Sequence, residues 1–301
     1  MLKEFINICK MTQPALKKHL AKQFPNAISE DGFIFAEGTF PVLLVAHLDT
    51  VHKEPPTKIV YSNDGDIISS PQGIGGDDRC GVYMILQVLK ECNCSVLFCE
   101  DEEIGMVGAD KFTMSDVAKK YIGAFNYIIE FDRRGKDDAV FYDCDNPEFE
   151  AFITKEFFTT NYGSFSDIST VAPYLECAAV NLSCGYYKAH TTDEYVVFSE
   201  MLDSIDAACE ILARTTEADK FEYIEATHYS NNDWWKSYSS CDKYADYSEL
   251  YIVEYYSKSG DTCLYVTIAE SDYEALGKFF MENPDYCFND IIDYGPENYE
   301  Y

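Results

Sequence analysis

His47 and Asp49 stand two residues apart as the apolar run Pro41-Val-Leu-Leu-Val-Ala-His47-Leu-Asp49-Thr50 ends. Residues two apart on a strand share a face. A carboxylate there can fix one ring nitrogen of the imidazole and leave the other free for a metal. A single His-x-Asp pair is more often structural than catalytic. Its weight comes from four further clusters, each beside a segment that reads as buried. Gly73-Ile-Gly-Gly-Asp77-Asp78-Arg79-Cys80-Gly81 opens a helical pattern of Val82, Ile85, Leu86 and Leu89. Its glycines admit close backbone approach and its carboxylates sit at a helix start, where plain N-capping is the simpler account. Residues 94–99 read as a strand running into Glu100-Asp-Glu102-Glu103-Ile-Gly105, otherwise a solvated acidic loop. Residues 127–131 read as a strand ending in Asp132-Arg133-Arg134-Gly135, otherwise an exposed ion pair, and residues 178–183 as a strand followed by Gly185-Tyr-Tyr-Lys-Ala-His190-Thr-Thr-Asp-Glu194.

Each bland account is individually the better one; their joint occurrence at successive strand ends is not. In an open α/β sheet, ligands bind outside the carboxyl ends of the strands, so parallel strands would bring all five clusters together. The expected fold is therefore α/β, a three-layer sandwich with a mixed, mostly parallel central sheet. Two imidazoles and several carboxylates, with no Cys or Met at the key points, suit zinc, or cobalt or manganese. Two ions are a natural reading, because one bridging carboxylate plus two further ligands for each ion leaves positions open for water and substrate.

The order His-x-Asp, Gly-x-Asp-Asp-Arg-x-Gly, Asp-Glu-Glu-x-Gly, strand-Asp, then Ala-His-Thr-x-x-Glu-Tyr resembles the dinuclear zinc exopeptidases of the bacterial leucyl aminopeptidase, peptidase T and glutamate carboxypeptidase kind, over residues 40–215. The resemblance implies that Asp77 bridges two divalent metal ions, with a cis peptide to Asp78. His47 and Asp132 would complete one metal's shell, and Glu103 and His190 the other's. Asp49 would orient His47, and Glu102 would be the general base that takes a proton from the metal-bridging water and passes it to the leaving amine. Peptidase T and glutamate carboxypeptidase relatives insert a lid or dimerisation domain before the last ligand. Here residues 133–189 hold only an expected strand (138–142), a helix (147–158) and a second helix (166–174), as in the compact leucyl aminopeptidase branch. Phe165-Ser166-Asp167 resembles that branch's Ser-Asp turn, and Asp rather than Glu at 132 resembles aminopeptidases more than carboxypeptidases and acylases.

Composition bounds the partners. A formal net charge of −30 over 301 residues opposes binding to nucleic acid or an anionic membrane. The start Met1-Leu-Lys-Glu-Phe-Ile-Asn lacks a signal-peptide pattern and no run reaches membrane-spanning length. Twelve Cys without regular spacing read as reduced thiols of a cytoplasmic protein. Residues 2–24 read as one or two amphipathic helices broken at Pro14, and residues 199–216 as a helix closing the catalytic fold. His52, just after the first motif, could line the site, but a loop histidine is the better reading.

From residue 219 the chain changes character, with 14 of its 24 Tyr and both Trp, Trp234 and Trp235, in the last stretch. Two β-rich runs, 249–256 and 262–268, flank Lys-Ser-Gly-Asp as in a hairpin; a helix over 272–281 and a strand over 287–294 follow. The expected division is a dinuclear metallopeptidase domain, 1–218, and a small acidic α+β appendage, 219–301, which contains His228. The expected activity is a metal-dependent aminopeptidase acting on short peptides. The alternatives are an amidohydrolase or deacylase taking an N-acyl amino acid, a glutaminyl-cyclase-like enzyme, or a non-catalytic binding protein on the same fold.

Overall fold

The computed structural model describes residues 1–24, 26–226, 249–258, 262–269, 275–276, 278–279, 283, 286 and 291–296. The chain divides into two compact units, Met1–Thr227 and His228–Tyr301. Residues 219–226 thus go with the first unit rather than starting the second at 219. Phe221 explains why: its ring centroid lies 5.2 Å from those of both Phe149 and Phe152.

The first unit opens with α1 (Leu2–Cys9) and α2 (Gln13–Gln23). Pro14 lies in the first turn of α2, where a missing N–H costs nothing. Strands β1 (Ile28–Glu30), β2 (Phe33–Ala36), β3 (Phe40–His47), β4 (Val60–Tyr61) and β5 (Ile67–Ser69) lead to α3 (Gly76–Val88). There follow β6 (Cys94–Cys99), α4 (Val107–Met114), β7 (Tyr127–Arg133), β8 (Asp138–Val140), α5 (Pro147–Ile153), β9 (Thr159–Asn161), α6 (Asp167–Leu175), β10 (Ala179–Ser183), β11 (Tyr186–Tyr187), β12 (Tyr195–Val197) and α7 (Phe198–Arg214). The eight-stranded central sheet has the order β1-β2-β6-β3-β7-β10-β8-β9. β6, β3, β7 and β10 are parallel neighbours, as are β8 and β9, while β1, β2 and β8 join antiparallel. A smaller antiparallel sheet, β11-β12-β5-β4, lies apart from it.

Helices cover both faces of the central sheet, so its inner strands read as unbroken apolar runs instead of alternating ones. Val42, Leu44, Ala46, Ile129 and Phe131 pack with Tyr83 and Ile85 of α3 and Ile205 and Ile211 of α7. Leu43, Val45, Leu97 and Ile128 pack with Phe112 of α4 and Val171 and Leu175 of α6. His47, Asp132 and Asn181 share the parity of this second set, so the sheet's pleat aims them to one side. The chain passes from β3 through α3 to β6, then through α4 back across β3 to β7. Winding therefore reverses between β3 and β7, the switch point where such sheets leave a crevice. His47 and Asp132 stand at the ends of those two strands.

Two expected elements are shorter than the sequence suggests. α5 ends at Ile153 rather than running to 158, because Thr154 turns its hydroxyl back onto the Glu150 carbonyl (2.8 Å) and the chain leaves to form β9. β8 stops at Val140, and Tyr142 takes a positive φ of 49°. Between Asp132 and His190 the chain adds three strands to the central sheet and helices α5 and α6.

In the second unit, β13 (Glu249–Tyr256), β14 (Thr262–Ala269) and β15 (Ile291–Pro296) form an antiparallel sheet of order β14-β13-β15. The expected hairpin is present, with Tyr256 opposite Thr262. Val253, Ala275, Leu276 and Phe279 make its core. The expected 272–281 helix is helical at the four residues described, and the expected 287–294 strand is strand from Ile291 to Pro296, with Pro296 tolerated on an edge. Residues 287–290, His228, Trp234 and Trp235 lie outside the described residues.

Candidate metal centre

His47 leaves β3 wholly buried, and its Nε2 lies 3.0 Å from Asp77 Oδ1 and 3.4 Å from Asp132 Oδ1. On the other side of the same Asp77, Oδ2 lies 3.2 Å from His190 Nε2, which is itself 3.1 Å from Glu103 Oε2. Five donors from five chain segments thus form two sets that share one carboxylate. Four donors held tetrahedrally at zinc's usual bond lengths lie about 3.3–3.4 Å apart, so each set has the spacing of ligands around one ion. Among the described residues, His47, Asp77 and Glu103, and His47, Asp78 and Asp132, are groups with ligand atoms within 4.8 Å of one another.

Local backbone explains the placement. Asp77 and Asp78 open α3 with non-helical dihedrals and a cis peptide between them. Asp78 lies close to His47 and Asp132, but both of its oxygens are engaged by backbone, Oδ2 accepting the His47 N–H at 3.1 Å and Oδ1 the Gly81 N–H at 2.9 Å, and so it belongs to the frame. Gly81 is required because a Cβ there would sit 1.8 Å from the Phe131 carbonyl oxygen of β7. Asp49 Oδ1 lies 3.2 Å from His47 Nδ1 and accepts the Glu102 N–H at 3.0 Å, while Oδ2 accepts the Glu103 N–H at 3.1 Å. One carboxylate therefore orients the imidazole and the acidic turn together. Asp132 accepts from the Ser166 hydroxyl on Oδ2 (3.0 Å), its N–H donates to Asn181 (2.9 Å), and the Tyr186 hydroxyl donates to its carbonyl (3.0 Å).

The field at the centre is strongly acidic. Burial alone would depress His47, but Asp132, Asp49 and Asp77 lift it well above the ordinary imidazole value. Burial likewise opposes His190, yet Asp77 and Glu103 raise it to about 11. Asp77 is held far below the carboxylate range by His190 and His47 in spite of burial. Burial and the charge of Asp77 raise Asp132 and Glu103. Burial pushes Glu102 up to about 9 against the pull of His47. Glu130 and Asp167 are wholly buried beside these groups, and burial raises both, Asp167 to about 7, so that it favours their protonated forms. Two imidazoles do not balance so many carboxyls, and Glu103 Oε1 is buried with no hydrogen bond among the described residues. A donor set of this composition fits divalent cations.

All seven residues singled out in the sequence converge: His47, Asp77, Asp132, Glu103 and His190 as the two sets, with Asp49 and Glu102 beside them. Glu102 is nearly buried, and its carboxylate makes no hydrogen bond among the described residues. Sequence reasoning did not find Asn181, Tyr186 or the contact between Ser166 and Asp132, because each partner lies 34 or more residues from Asp132. His52 is not merely a neighbouring loop residue: its Nε2 lies 3.1 Å from Glu194 Oε2.

No protein-family model matches the sequence. No curated protein matches it either. Solved structures do. Aminopeptidase PepT from Bacillus cereus is similar with a TM-score of 0.57 at 15% identity, covering 70% of this chain and 96% of its own. A tripeptidase from Staphylococcus aureus is similar with a TM-score of 0.54 at 14% identity, covering 71% and 98%. An aminopeptidase from the archaeon Desulfurococcus kamchatkensis is similar with a TM-score of 0.51 at 14% identity, covering 74% and 99%. In fold, this chain is similar to these two aminopeptidases and this tripeptidase.

Proposed function

We propose that the protein is a metal-dependent exopeptidase, an aminopeptidase trimming short peptides with two divalent ions, zinc before cobalt or manganese. The observation that carries this is the division of five donors into two sets through the two oxygens of Asp77. His47 and Asp132 would hold one ion, His190 and Glu103 the other, and Asp77 both. When bound, such a pair lowers the pKa of water and polarises the scissile carbonyl.

The chain's own residues supply the rest. Glu102 has a carboxylate free of protein hydrogen bonds among the described residues, and two cations beside it would lower the pKa that burial raises to about 9, so that it could take a proton from the attacking water and return it to the leaving amine. Asp49 holds the Glu102 N–H and so fixes where that carboxylate stands. Of the three arginines in these motifs, Arg79, Arg133 and Arg134, the first two bear on substrate polarity. Arg79 is buried with its guanidinium on the Leu48 and Met11 carbonyls, and Arg133 pairs with Asp138 at 3.1 Å. Neither is available to dock a substrate carboxylate, whereas the acidic centre favours a free α-amino group. We place the protein in the cytoplasm: its ten described cysteines are free thiols, and no described helix is long and apolar enough to cross a membrane.

Hydrolysis of an aminoacyl anilide, compared with its N-acetylated form in the presence of zinc, cobalt or manganese, tests this reading. Faster cleavage of the free amine is expected. Faster cleavage of the blocked compound would make the protein a deacylase or carboxypeptidase, and no cleavage of any peptide would leave a binding protein.

A further inference from the structure

Asp77 can serve two sets of donors only if its carboxylate is held crosswise between His47 and His190, and the helix it opens does not hold it there. Residues 77 and 78 are not helical, and the N–H groups at the start of α3 have no partner within the helix. They are met from elsewhere. Glu194, fully buried, accepts the Gly75 N–H on Oε2 at 2.7 Å and the Asp77 N–H on Oε1 at 3.0 Å. A carboxylate spanning two N–H groups at a helix start is well placed for both charge and geometry.

The same carboxylate reaches a third segment. His52 Nε2 lies 3.1 Å from Glu194 Oε2, and its ring rests on Gly73, where any Cβ would fall 2.0 Å from the imidazole Cε1. Glu194 itself lies four residues beyond His190, on a loop closed by its own N–H to the Thr191 carbonyl at 3.3 Å. That loop continues into β12, whose Tyr195 pairs with Ser69 of β5, the strand that leads into the glycine turn. Three loops, those of His47 and Asp49, of Asp77, and of His190, therefore converge on one group that is not among the donors.

We infer that Glu194 is a positioning residue that fixes the bridging attitude of Asp77 and its distance from His190, with His52 bracing it. This rests on the two-ion reading above. Both Glu194 oxygens are occupied by backbone N–H groups, so its effect on an ion passes through Asp77. The Gly73 contact limits how far His52 can shift, which keeps the third donor on the carboxylate.

The test is zinc binding, measured by competition with a chromophoric chelator on the full chain, alongside the thermal midpoint of zinc-free protein. Glu194→Gln keeps the size but turns an NH2 group against one of the backbone N–H groups. Its expected effect is a roughly ten- to hundredfold loss of affinity for at least one ion, the scale of losing an outer partner of a ligand, with the zinc-free midpoint close to wild type. Activity lost at stoichiometric zinc should return at excess zinc, which a general loss of structure would not allow. Glu194→Gln protein that takes two ions with wild-type affinity overturns the positioning role alone; wild-type protein that takes up no ion overturns both this role and the two-ion reading. If Glu194→Gln does not fold, His52→Gln decides, since it removes only the brace: a several-fold loss of zinc affinity supports the role, and unchanged affinity overturns it.

Discussion

The two halves of the centre are built differently. His47 comes off a central strand with a side chain 1% exposed, whereas His190 sits on a loop with a side chain 34% exposed and a positive φ of 65°. Around the first half, Asp49 holds the second ring nitrogen of His47, and Ser166, Asn181 and Tyr186 hold Asp132. Around the second, Glu103 keeps one carboxylate oxygen buried and without a hydrogen bond among the described residues. Ligands whose partners fix them lose little freedom when an ion arrives, and ligands on a loop lose more. On the two-ion proposal, the half at the switch point would be a preformed site, and the loop half would be one that its ion completes.

Glu102 belongs to neither half, and the largest effect should follow from changing it. Glu102→Gln preserves volume and removes the proton acceptor, so turnover should fall roughly a hundred- to ten-thousandfold with both ions retained. Loss of metal in Glu102→Gln but not in Glu103→Gln, measured by elemental analysis, would mean that the adjacent glutamates exchange roles. Next comes the contrast itself. His190→Ala should keep one ion at the preformed half, while His47→Ala should lose both, because it also leaves Asp49, Asp77 and Asp132 facing each other without their shared imidazole. Equal metal content in the two variants would erase the distinction.

Protons sharpen it further. Asp77 and Glu103 hold the proton on His190 up to about 11, so at neutral pH an ion entering the loop half must displace it. A ligand whose folded pKa lies above the working pH binds metal more weakly as pH falls, by about tenfold per unit for each proton displaced. Zinc affinity measured between pH 8 and 6 should decline accordingly, with proton uptake on zinc removal. Affinity independent of pH over that window would show that His190 is already neutral.

The reach of the sequence follows the same division. Strand ends were legible because the apolar runs buried on both faces give way to the polar residues His47 and Asp132, and period-two parity then aims them. The Asp-Gly pair at 31–32, with Gly32 at φ 94°, and the Asp-Gly pair at 64–65, with Gly65 at φ 78°, are local signals of the same kind for the β1–β2 and β4–β5 hairpins. By contrast, nothing local in a single chain says that Asn181 of β10 lies beside Asp132, or that Ser166 caps α6 and also bonds a metal-site carboxylate. Those contacts depend on sheet order, which spacing alone does not determine.

The smallest expected effect tests whether that hidden frame matters. Ser166 occupies two roles, since its hydroxyl donates to Asp132 Oδ2 at 3.0 Å and its side chain and backbone take part in the capping box with Ser169 at the start of α6. Ser166→Ala removes both, so lost affinity could come from the helix as easily as from Asp132. Ser169→Ala separates them: it removes the reciprocal bond to the Ser166 N–H, 3.1 Å in the intact protein, and leaves the Asp132 contact in place. Both variants should lose about 0.5–2 kcal/mol of stability, the usual scale for a weakened N-cap. Only Ser166→Ala should also lose roughly tenfold in zinc affinity, the lower end for an outer partner of a ligand. Equal affinities in the two variants would show that Asp132 is held well enough by Asn181 and Tyr186 alone, and that the preformed half owes its rigidity to the sheet.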